Sequence, residues 1–530
     1  AYTALAGAET ATIRSSMMIA VGLWTVWLGA PHYLLPALAA AAAVTLLVHP
    51  PALYDISFQL SYVSVWVLAL WIKRESLETE LPEPQKSPIV QSVYWLRESV
   101  RLTALVTLAT MPLVACYFNQ VSWVGLFANL LVVPFVGFIV LPISLLSAVW
   151  VIATHSSSLP GADVIDAFGR GLISATHGLA GMPGAEWFVA APTLPLMGLF
   201  YLLGWGLLTG RPADAAPLLR GAMVMGLVCI VIWWLWSPRP FSREGQVRVT
   251  FLDVGQGDST VIELPAGEVI LIDGGATYER FDMGRSVVAP FLWNRGIRRI
   301  DHVIGTHPQL DHVGGLAWIL THMQVANFWT NGVIRNEGFW RKIEKALAQQ
   351  HLPATVATEG QLISTGADCH MAVLSPRPHR ESSPEATSES LNNLSVVTEL
   401  KCGDRHMLFT GDIEREALAR LTRSGVFGHV TLLKVPHHGA RSSLEHNWLN
   451  TIRPEIAVVS AGRRNPYGHP VDEVVAAYRS VAAQVWRTDQ DGAIWVDLDL
   501  QQQRLSVHST REMDASTGGL ATGSVVHRIG

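Results

Sequence analysis

Two textures of apolar and polar positions follow one another along the chain. Up to about residue 240 the apolar residues run together without a period. Met17–Val48 and Val121–Thr154 contain no Asp, Glu, Lys or Arg, and about 20 such residues suffice to cross a bilayer as a helix. Each run is long enough for one tilted helix, or for a helix broken at Pro31/Pro36 or at Pro134/Pro142. Ile56–Ile72, Leu102–Phe118, Leu196–Gly210 and Gly221–Trp236 are further apolar runs, so roughly six to eight membrane segments are expected. Their recurrence well into the chain rules out a secretory signal as the explanation. Lys73–Arg101 is polar and contains Pro and Glu, which predicts a solvated loop. Gly161–Gly184 sets Val164, Ile165, Phe168, Leu172 and Ile173 at helical spacing, as in a helix lying along the interface or packed inside a bundle.

The apolar half ends at WWLWSPRPF (Trp233–Phe241), where aromatic residues meet a Pro-rich stop. Beyond Gln246 short strand-like runs take over: VRVTFLDV, STVIEL, VILID, SVVTELK, MLFTGD, VTLLKV, IAVVSAG and AIWVDLD. Helical stretches at Phe339–Gln350, Glu414–Arg423 and Asp472–Ser480 lie among them. Strands alternating with helices imply an α/β sandwich. The expected organisation is a polytopic α-helical membrane domain over 1–240, an α/β domain over 241–510 and a Gly/Ser/Thr-rich disordered tail over 511–530. The chain opens on Ala1 without a start-like feature, as a fragment or a processed product would.

Composition sharpens this picture. The 530 residues are 49% hydrophobic and only 15% charged, against a charged fraction of roughly 25% in soluble domains. A net charge of −5 gives no broad basic footprint, so any nucleic acid must be held locally. Cys116 and Cys229 sit in apolar runs, while Cys369 and Cys402 lie far apart in the second half. With no C-x-x-C spacing, buried inert thiols are expected.

The candidate chemistry begins at THPQLDHVGG (Thr306–Gly315), which places His307, Asp311 and His312 in one loop. LIDGG (Leu271–Gly275) precedes it, and LFTGD (Leu408–Asp412) and KVPHHG (Lys434–Gly439) follow. A hydrolytic metal needs imidazole and carboxylate ligands with one position open to water. His307, Asp311, His312, Asp412 and His438 are therefore the expected ligands. Asp412, at a Gly-Asp turn, is able to bridge two ions. A single His or Asp at a strand end is usually a cap or a surface group, but four motifs in this order are not so explained. Asp253, Asp258 and Asp273 also fall at strand ends near the ligand face, Asp273 more as a structural acceptor. His437 and His438 compete as ligand, and His438, beside Gly439, is preferred. Asp311, His437 and His469 are the candidate catalytic groups, His437 as a phosphate contact or as an orienter of the ligand loop, and His469 as a phosphate contact or proton donor. Lys434 and Arg441 could neutralise phosphate charge.

In the apolar half, Gln59, Ser61, Asn119, Gln120 and Asn129 are the notable polar positions. Such groups face a bundle interior or a wet pathway, because exposure to lipid is costly.

The HxxxDH, GD and PHHG motifs resemble the ligand motifs of the metallo-β-lactamase fold. FLDVGQGDS (Phe251–Ser259), NNLS (Asn392–Ser395), NPYGHP (Asn465–Pro470) and RTDQDGAI (Arg487–Ile494) extend that resemblance. HPPALYDISFQLSYVSVW (His49–Trp66) and NLLVVPFVGFIVLP (Asn129–Pro142) carry it into the apolar half. From about residue 1 to 505 the chain resembles ComEC-type DNA internalisation channels, without the further helices and small OB-like domain that usually come first. The resemblance implies a competence-type transmembrane domain followed by a metallo-β-lactamase-fold (αββα) domain. It implies a multi-pass inner-membrane protein; the metal domain is expected on the extracytoplasmic side, while Lys73/Arg74, Arg211/Arg220 and Arg239/Arg243 give no one-sided bias that fixes the orientation. One DNA strand would pass through the membrane domain, lined by Gln59, Ser61 and Asn129, and the metal domain would degrade the other strand. Other competence components, and further copies of the chain, are the implied partners. The alternatives are a metal-fold domain that only binds or gates DNA, and a membrane-tethered hydrolase of another substrate.

The site departs from the wider fold at two places. Gln309 replaces the middle His of HxHxDH, and Asn392 and Asn393 stand near the position of another missing His. One site, from Asp311, His312, His438 and Asp412, is then complete. The other keeps His307 and Asp412, with amide oxygens as weak ligands. Oxygen-rich coordination shifts preference from Zn2+ towards Mn2+ or Mg2+, one or two ions. Asn392, Asn393, Lys434 and Arg441 are the candidate substrate contacts.

Overall fold

A computed structural model of the chain describes residues 16–20, 23–24, 27, 34–78, 88–156, 158–209, 217–236, 245–279, 281–333, 338–366, 368–378, 391–425 and 428–511. The chain divides into two compact units, Ala1–Ser237 and Pro238–Gly530. The tail over 512–530, expected to be disordered, lies outside the described residues.

The first unit is helical: Leu34–Val48, Ile56–Glu78, Pro88–Phe118, Val124–Phe135, Leu141–Thr154, Ala162–Ala180, Leu194–Thr209 and Pro217–Trp236. Among the described residues, three helices are long and apolar enough to cross a membrane, Leu96–Phe118, Val124–Thr154 and Pro217–Leu235. Leu35–Val48, Ile56–Trp71 and Leu194–Thr209 are apolar but shorter. The expected number of spans is thus reached only by counting runs shorter than the bilayer core requires. The loop predicted at Lys73–Arg101 is mostly helix, because its Glu, Leu, Arg and Lys are good helix formers and Pro88 suits a first turn. Only its residues 79–87 fall outside the described segments. The Pro134/Pro142 run is not broken either. A π turn at Val136–Val140, closed by Leu141 N–H on the Val136 carbonyl, joins the two helices. Pro142 has no N–H to donate, and the wider turn accommodates its ring.

Two short strands, β1 (Gln120–Ser122) and β2 (Glu186–Phe188), pair antiparallel in this unit. Asn119, in the left-handed region at φ 54°, donates from Nδ2 to the Val189 carbonyl at 3.0 Å, so its amide fastens this strand pair. Helix Ala162–Ala180 contacts the Val124–Phe135 helix through an edge-on Phe168–Phe135 pair, ring centroids 5.3 Å apart. Gln59 Nε2 donates to the Leu53 carbonyl at 2.8 Å, just before its own helix. Ser61 is half-buried and Asn129 is exposed.

In the second unit the strands are β3 (Gln246–Phe251), β4 (Thr260–Glu263), β5 (Val269–Ile272), β6 (Arg299–Gly305), β7 (Gln324–Thr330), β8 (Ala354–Val356), β9 (Leu362–Thr365), β10 (Cys369–Ser375), β11 (Val397–Cys402), β12 (Arg405–Phe409), β13 (Leu432–Lys434), β14 (Ile456–Val459), β15 (Gln484–Arg487), β16 (Ile494–Asp499) and β17 (Arg504–Ser509). They form an eight-stranded sheet, β17-β16-β3-β4-β5-β6-β7-β8, and a seven-stranded sheet, β15-β14-β13-β12-β11-β10-β9. Alternate residues of the two sheets meet in one core. Val249, Phe251, Ile262, Ile270 and Ile272 from one sheet join Met371, Leu400, Phe409, Leu432 and Val458 from the other. Burying each such side chain contributes roughly 1.5–3 kcal/mol. Helices Arg415–Arg423, His446–Ile452 and Asp472–Ser480 cover the outer face of the seven-stranded sheet through Leu418, Leu421, Trp448, Leu449, Val474 and Tyr478. All four residues of β5 are buried, as in a strand covered on both faces. The predicted α/β sandwich is therefore what the sequence folds into.

One expectation fails here. Cys369 and Cys402 are not isolated thiols but a disulfide. They face each other directly in the antiparallel β10–β11 register, which their separation of 33 residues conceals. Cys116 and Cys229 are free, and Cys229 is exposed.

Candidate metal centre

The parallel neighbours β5–β6 and β12–β13–β14 all point their carboxyl ends at one edge. Side chains just past strand ends collect there, where open α/β sheets form their sites. Asp273 follows β5, and His307, Asp311 and His312 follow β6. Asp412 follows β12, Lys434 ends β13, and His437 and His438 come next. Asp258 arrives from the β3–β4 loop. A Cβ on Gly257 would lie 2.1 Å from the Asp311 carbonyl oxygen, so only glycine lets these two loops touch.

PHHG is strained. His437 and His438 hold φ of 47° and 53°, a region that costs side-chain-bearing residues of order 1–3 kcal/mol each. The strain turns both imidazoles into the site.

Asp258, His312, Asp412 and His438 each offer a ligand atom, and these atoms lie within 4.8 Å of one another. Asp412 Oδ2 is 3.2 Å from both His312 Nε2 and His438 Nε2. Asp311 Oδ2 lies 3.5 Å from His438 Nε2 and 4.0 Å from His312 Nε2. The His307 ring sits against His312, centroids 4.2 Å apart.

The surroundings set the tautomers. His438 Nδ1 meets the Ser460 carbonyl at 2.9 Å, which only accepts, so Nδ1 carries the proton. His312 Nδ1 donates likewise to Asp273 Oδ2 at 2.8 Å. Thr306 spends its hydroxyl proton on the same oxygen at 2.8 Å, so His307 Nδ1, 3.0 Å from Thr306 Oγ1, is again the donor. In each neutral ring Nε2 is then the lone-pair nitrogen, open to a proton or a cation. All three are buried and without a hydrogen-bond partner. Lone pairs 3.2 Å from a carboxylate oxygen repel it unless positive charge lies between. The donor set fits a divalent cation, held by imidazoles whose other nitrogens are fixed by carboxylate or carbonyl.

Proton affinities report the same demand for positive charge. Burial works against a charged His438, but Asp412 and Asp258 outweigh it and push the imidazole up to about 10. His312 is raised in the same way, with Asp412 and Asp273 overcoming burial. Burial would lift Asp412, yet His312, His438 and Lys434 hold it well below the usual carboxylate range. His307 goes the other way, down to about 3, through burial and the adjacent His312.

The remaining expected residues fall in different places. His437 Nδ1 is 3.0 Å from Glu414 Oε1, and its Nε2 is 3.8 Å from Asp412 Oδ2. His469 packs edge-on to His437 at 5.7 Å, with a buried Nδ1 that has no hydrogen-bond partner. Gln309 Nε2 donates to Asn392 Oδ1 at 2.6 Å, and Asn392 Nδ2 donates to Glu414 Oε1 at 3.1 Å. The two amides expected in place of histidines are thus bonded to each other.

Three expected substrate contacts have partners within the protein. Asn393 Oδ1 accepts from the N–H groups of Glu414 and Ala417, holding the start of the Arg415–Arg423 helix. Lys434 is 3% exposed and points inward, paired with Asp258 and 3.4 Å from Asp412 Oδ1. Its ammonium also donates to the Gly411 carbonyl at 2.9 Å. Arg441 pairs with Glu473 at 3.1 Å on the exposed surface.

Sequence reasoning placed Asp258 near the site but outside the ligand set, and it did not single out Glu414 or Ser460. For Asp258 the G-Q-G-D spacing was the available signal. Glu414 had none, because its role depends on which imidazole it meets.

A competence-protein family model matches residues 1–212, and a metallo-beta-lactamase superfamily model matches residues 252–363. ComE operon protein 3 of Bacillus subtilis (strain 168) is 27% identical over 516 residues, 93% of this chain and 62% of that protein. Uncharacterized protein YcaI of Escherichia coli (strain K12) is 28% identical over 528 residues, 95% of this chain and 61% of that one. Competence protein ComA of Neisseria gonorrhoeae is 27% identical over 515 residues, 96% of this chain and 65% of that one. The chain spans roughly three-fifths of the length of these relatives. The chain thus carries a region that matches the competence-protein family, followed by one that matches the metallo-beta-lactamase superfamily, and over most of its length it is similar to ComE operon protein 3 and ComA.

Proposed function

We propose that this chain takes part in the uptake of transforming DNA. In this reading one strand passes through the membrane unit, and the second unit hydrolyses phosphodiester bonds of the strand left behind. The observation that carries it is the trio of pinned imidazoles in a region that matches the metallo-beta-lactamase superfamily: His312 and His438 set Nε2 3.2 Å from Asp412 Oδ2, and His307 packs against His312.

His312, His438, Asp412, Asp258 and Asp311 would hold the cation, with His307 beside them. A divalent cation there supplies charge that polarises a phosphoryl oxygen and makes a water more acidic. Glu414 keeps the proton of His437 on Nδ1, so Nε2 is the atom able to take a proton from water. His469, half-buried beside it, is lowered by burial and then by His437 and His438, which keeps it neutral and able to relay that proton. Asp273 touches no substrate and acts by orienting His312.

Carboxylates provide much of the donor set, which favours Mn2+ over Zn2+. The Gln309–Asn392 pair removes imidazoles from the second position, and the Lys434 ammonium already neutralises part of the acidic cluster. Both features support one tightly held ion. They also keep open a second reading, in which the domain binds or gates DNA without cutting it. The Cys369–Cys402 disulfide supports an extracytoplasmic position for this domain, since disulfides form in oxidising compartments.

The test uses the full chain in detergent with labelled DNA and Mn2+, Mg2+ or Zn2+ added in turn. Cleavage that Asp412→Ala abolishes supports the hydrolytic reading, whereas binding without cleavage under every metal supports gating.

A further inference from the structure

After β14 the backbone turns through residues 463–470 before helix Asp472–Ser480. One side chain fixes this turn. Asn465 Nδ2 donates to the carbonyls of Gly462 at 2.8 Å and His469 at 2.6 Å. Its Oδ1 accepts from the N–H groups of Tyr467 at 3.2 Å and His469 at 3.0 Å. Gly462 also presses on the loop that carries Asp258, because an added Cβ would lie 2.6 Å from Gln256 N. The turn is anchored at its base, yet Arg463, Arg464 and Tyr467 are exposed at its tip.

A single exposed tyrosine on a turn is ordinary. This one differs in what lies behind it. Tyr467 is 67% exposed, and the inner face of its ring lies nearly parallel to His469, centroids 5.8 Å apart at 25°. His469 is edge-on to His437 at 5.7 Å, and His437 is 6.1 Å from His438. A file of four rings therefore leads from a buried candidate ligand to open solvent. Tyr278, 57% exposed, stands close by. Burial, then the Asp311 carboxylate and the Tyr467 phenol, raise its hydroxyl.

We propose that the outer face of Tyr467 stacks an unpaired nucleobase, which makes single-stranded nucleic acid the substrate class of this site. The proposal rests on the reading above that the substrate is DNA. An aromatic face accepts any base, and nearby guanidiniums meet the backbone phosphates; Arg463 and Arg464 supply them here. A base stacked on Tyr467 would bring its own phosphodiester towards His469 and the metal centre. A paired base inside a duplex has both faces covered and cannot use this platform.

The experiment takes the full chain in detergent with single-stranded oligonucleotides carrying 5-iodouracil. Irradiation cross-links that base to a ring stacked on it, and mass spectrometry locates the adduct. The expected adduct is on the peptide containing Tyr467. It is lost in Tyr467→Leu, kept in Tyr467→Trp, and competed away far better by unlabelled single strand than by duplex. Tyr467→Leu should also raise KM for a single strand about tenfold with kcat nearly unchanged, since one base stack is lost. Adducts only on other peptides, or equal competition by duplex, would overturn the proposal. A Tyr467 adduct without DNA cleavage would refute the nuclease reading alone. Cleavage without that adduct would refute stacking alone.

Discussion

Asp273 accepts the Nδ1–H of His312 across 2.8 Å, and this one bond decides which nitrogen of His312 faces the site. Asp273 is fully buried, and its other oxygen accepts from the Thr306 N–H at 2.8 Å. Removing it frees the ring to turn and lowers its basicity as a ligand. Asp273→Ala should therefore weaken Mn2+ binding about 10–100-fold, the usual effect of losing such a partner. Calorimetric titration with Mn2+ checks this, and unchanged affinity would exclude the orienting role.

Lys434 is the buried counter-charge of the cluster. Lys434→Met leaves Asp258 and Asp412 without their ammonium partner, and breaking a buried pair on one side costs about 3–5 kcal/mol. Thermal unfolding of the metal-free protein should show a large drop in the transition assigned to the second unit. Added Mn2+ should restore part of the loss, because a cation replaces the missing charge. An unchanged transition would return Lys434 to the role of a substrate contact.

The local motifs made much of this centre legible. His307, Asp311 and His312 share one loop, and Asp412 and His438 each follow a strand, so strand ends and short spacings suffice to bring them together. What escaped depends on register and topology. Cys369 and Cys402 become neighbours only through the β10–β11 pairing. Lys434 reads as a phosphate contact until the inward direction of β13 is known. Glu414 acquires meaning only from His437. In the membrane unit, the loop predicted over Lys73–Arg101 failed because polar composition does not separate a solvated loop from an exposed helix.

Gln309 and Asn392, the amides expected to stand in for histidines of a second metal position, are hydrogen-bonded to each other. Gln309→His should raise Zn2+ affinity and bring the bound metal towards two ions per chain, counted by elemental analysis after dialysis. A stoichiometry unchanged from the parent would show that the amide pair does not limit metal number.

The disulfide between Cys369 and Cys402 ties adjacent strands at one end of the β10–β11 pair. Its removal in a Cys369→Ser/Cys402→Ser variant should cost about 2–4 kcal/mol. Denaturant unfolding with and without reductant should show the parent falling to the level of the variant, and the variant unmoved. A parent insensitive to reductant, with free thiols at both positions by alkylation, would remove the support for an oxidising compartment.

The central claim is that Asp412 and the imidazoles around it hold a cation that cuts DNA. Its most direct test is cleavage of a labelled single strand by the full chain with Mn2+, alongside Asp311→Ala and Asp412→Ala of unchanged circular dichroism. The expected result is Mn2+-dependent cleavage by the parent, abolished by chelator, and none by either variant. Equal cleavage by all three proteins, or by the parent in excess chelator, would contradict it.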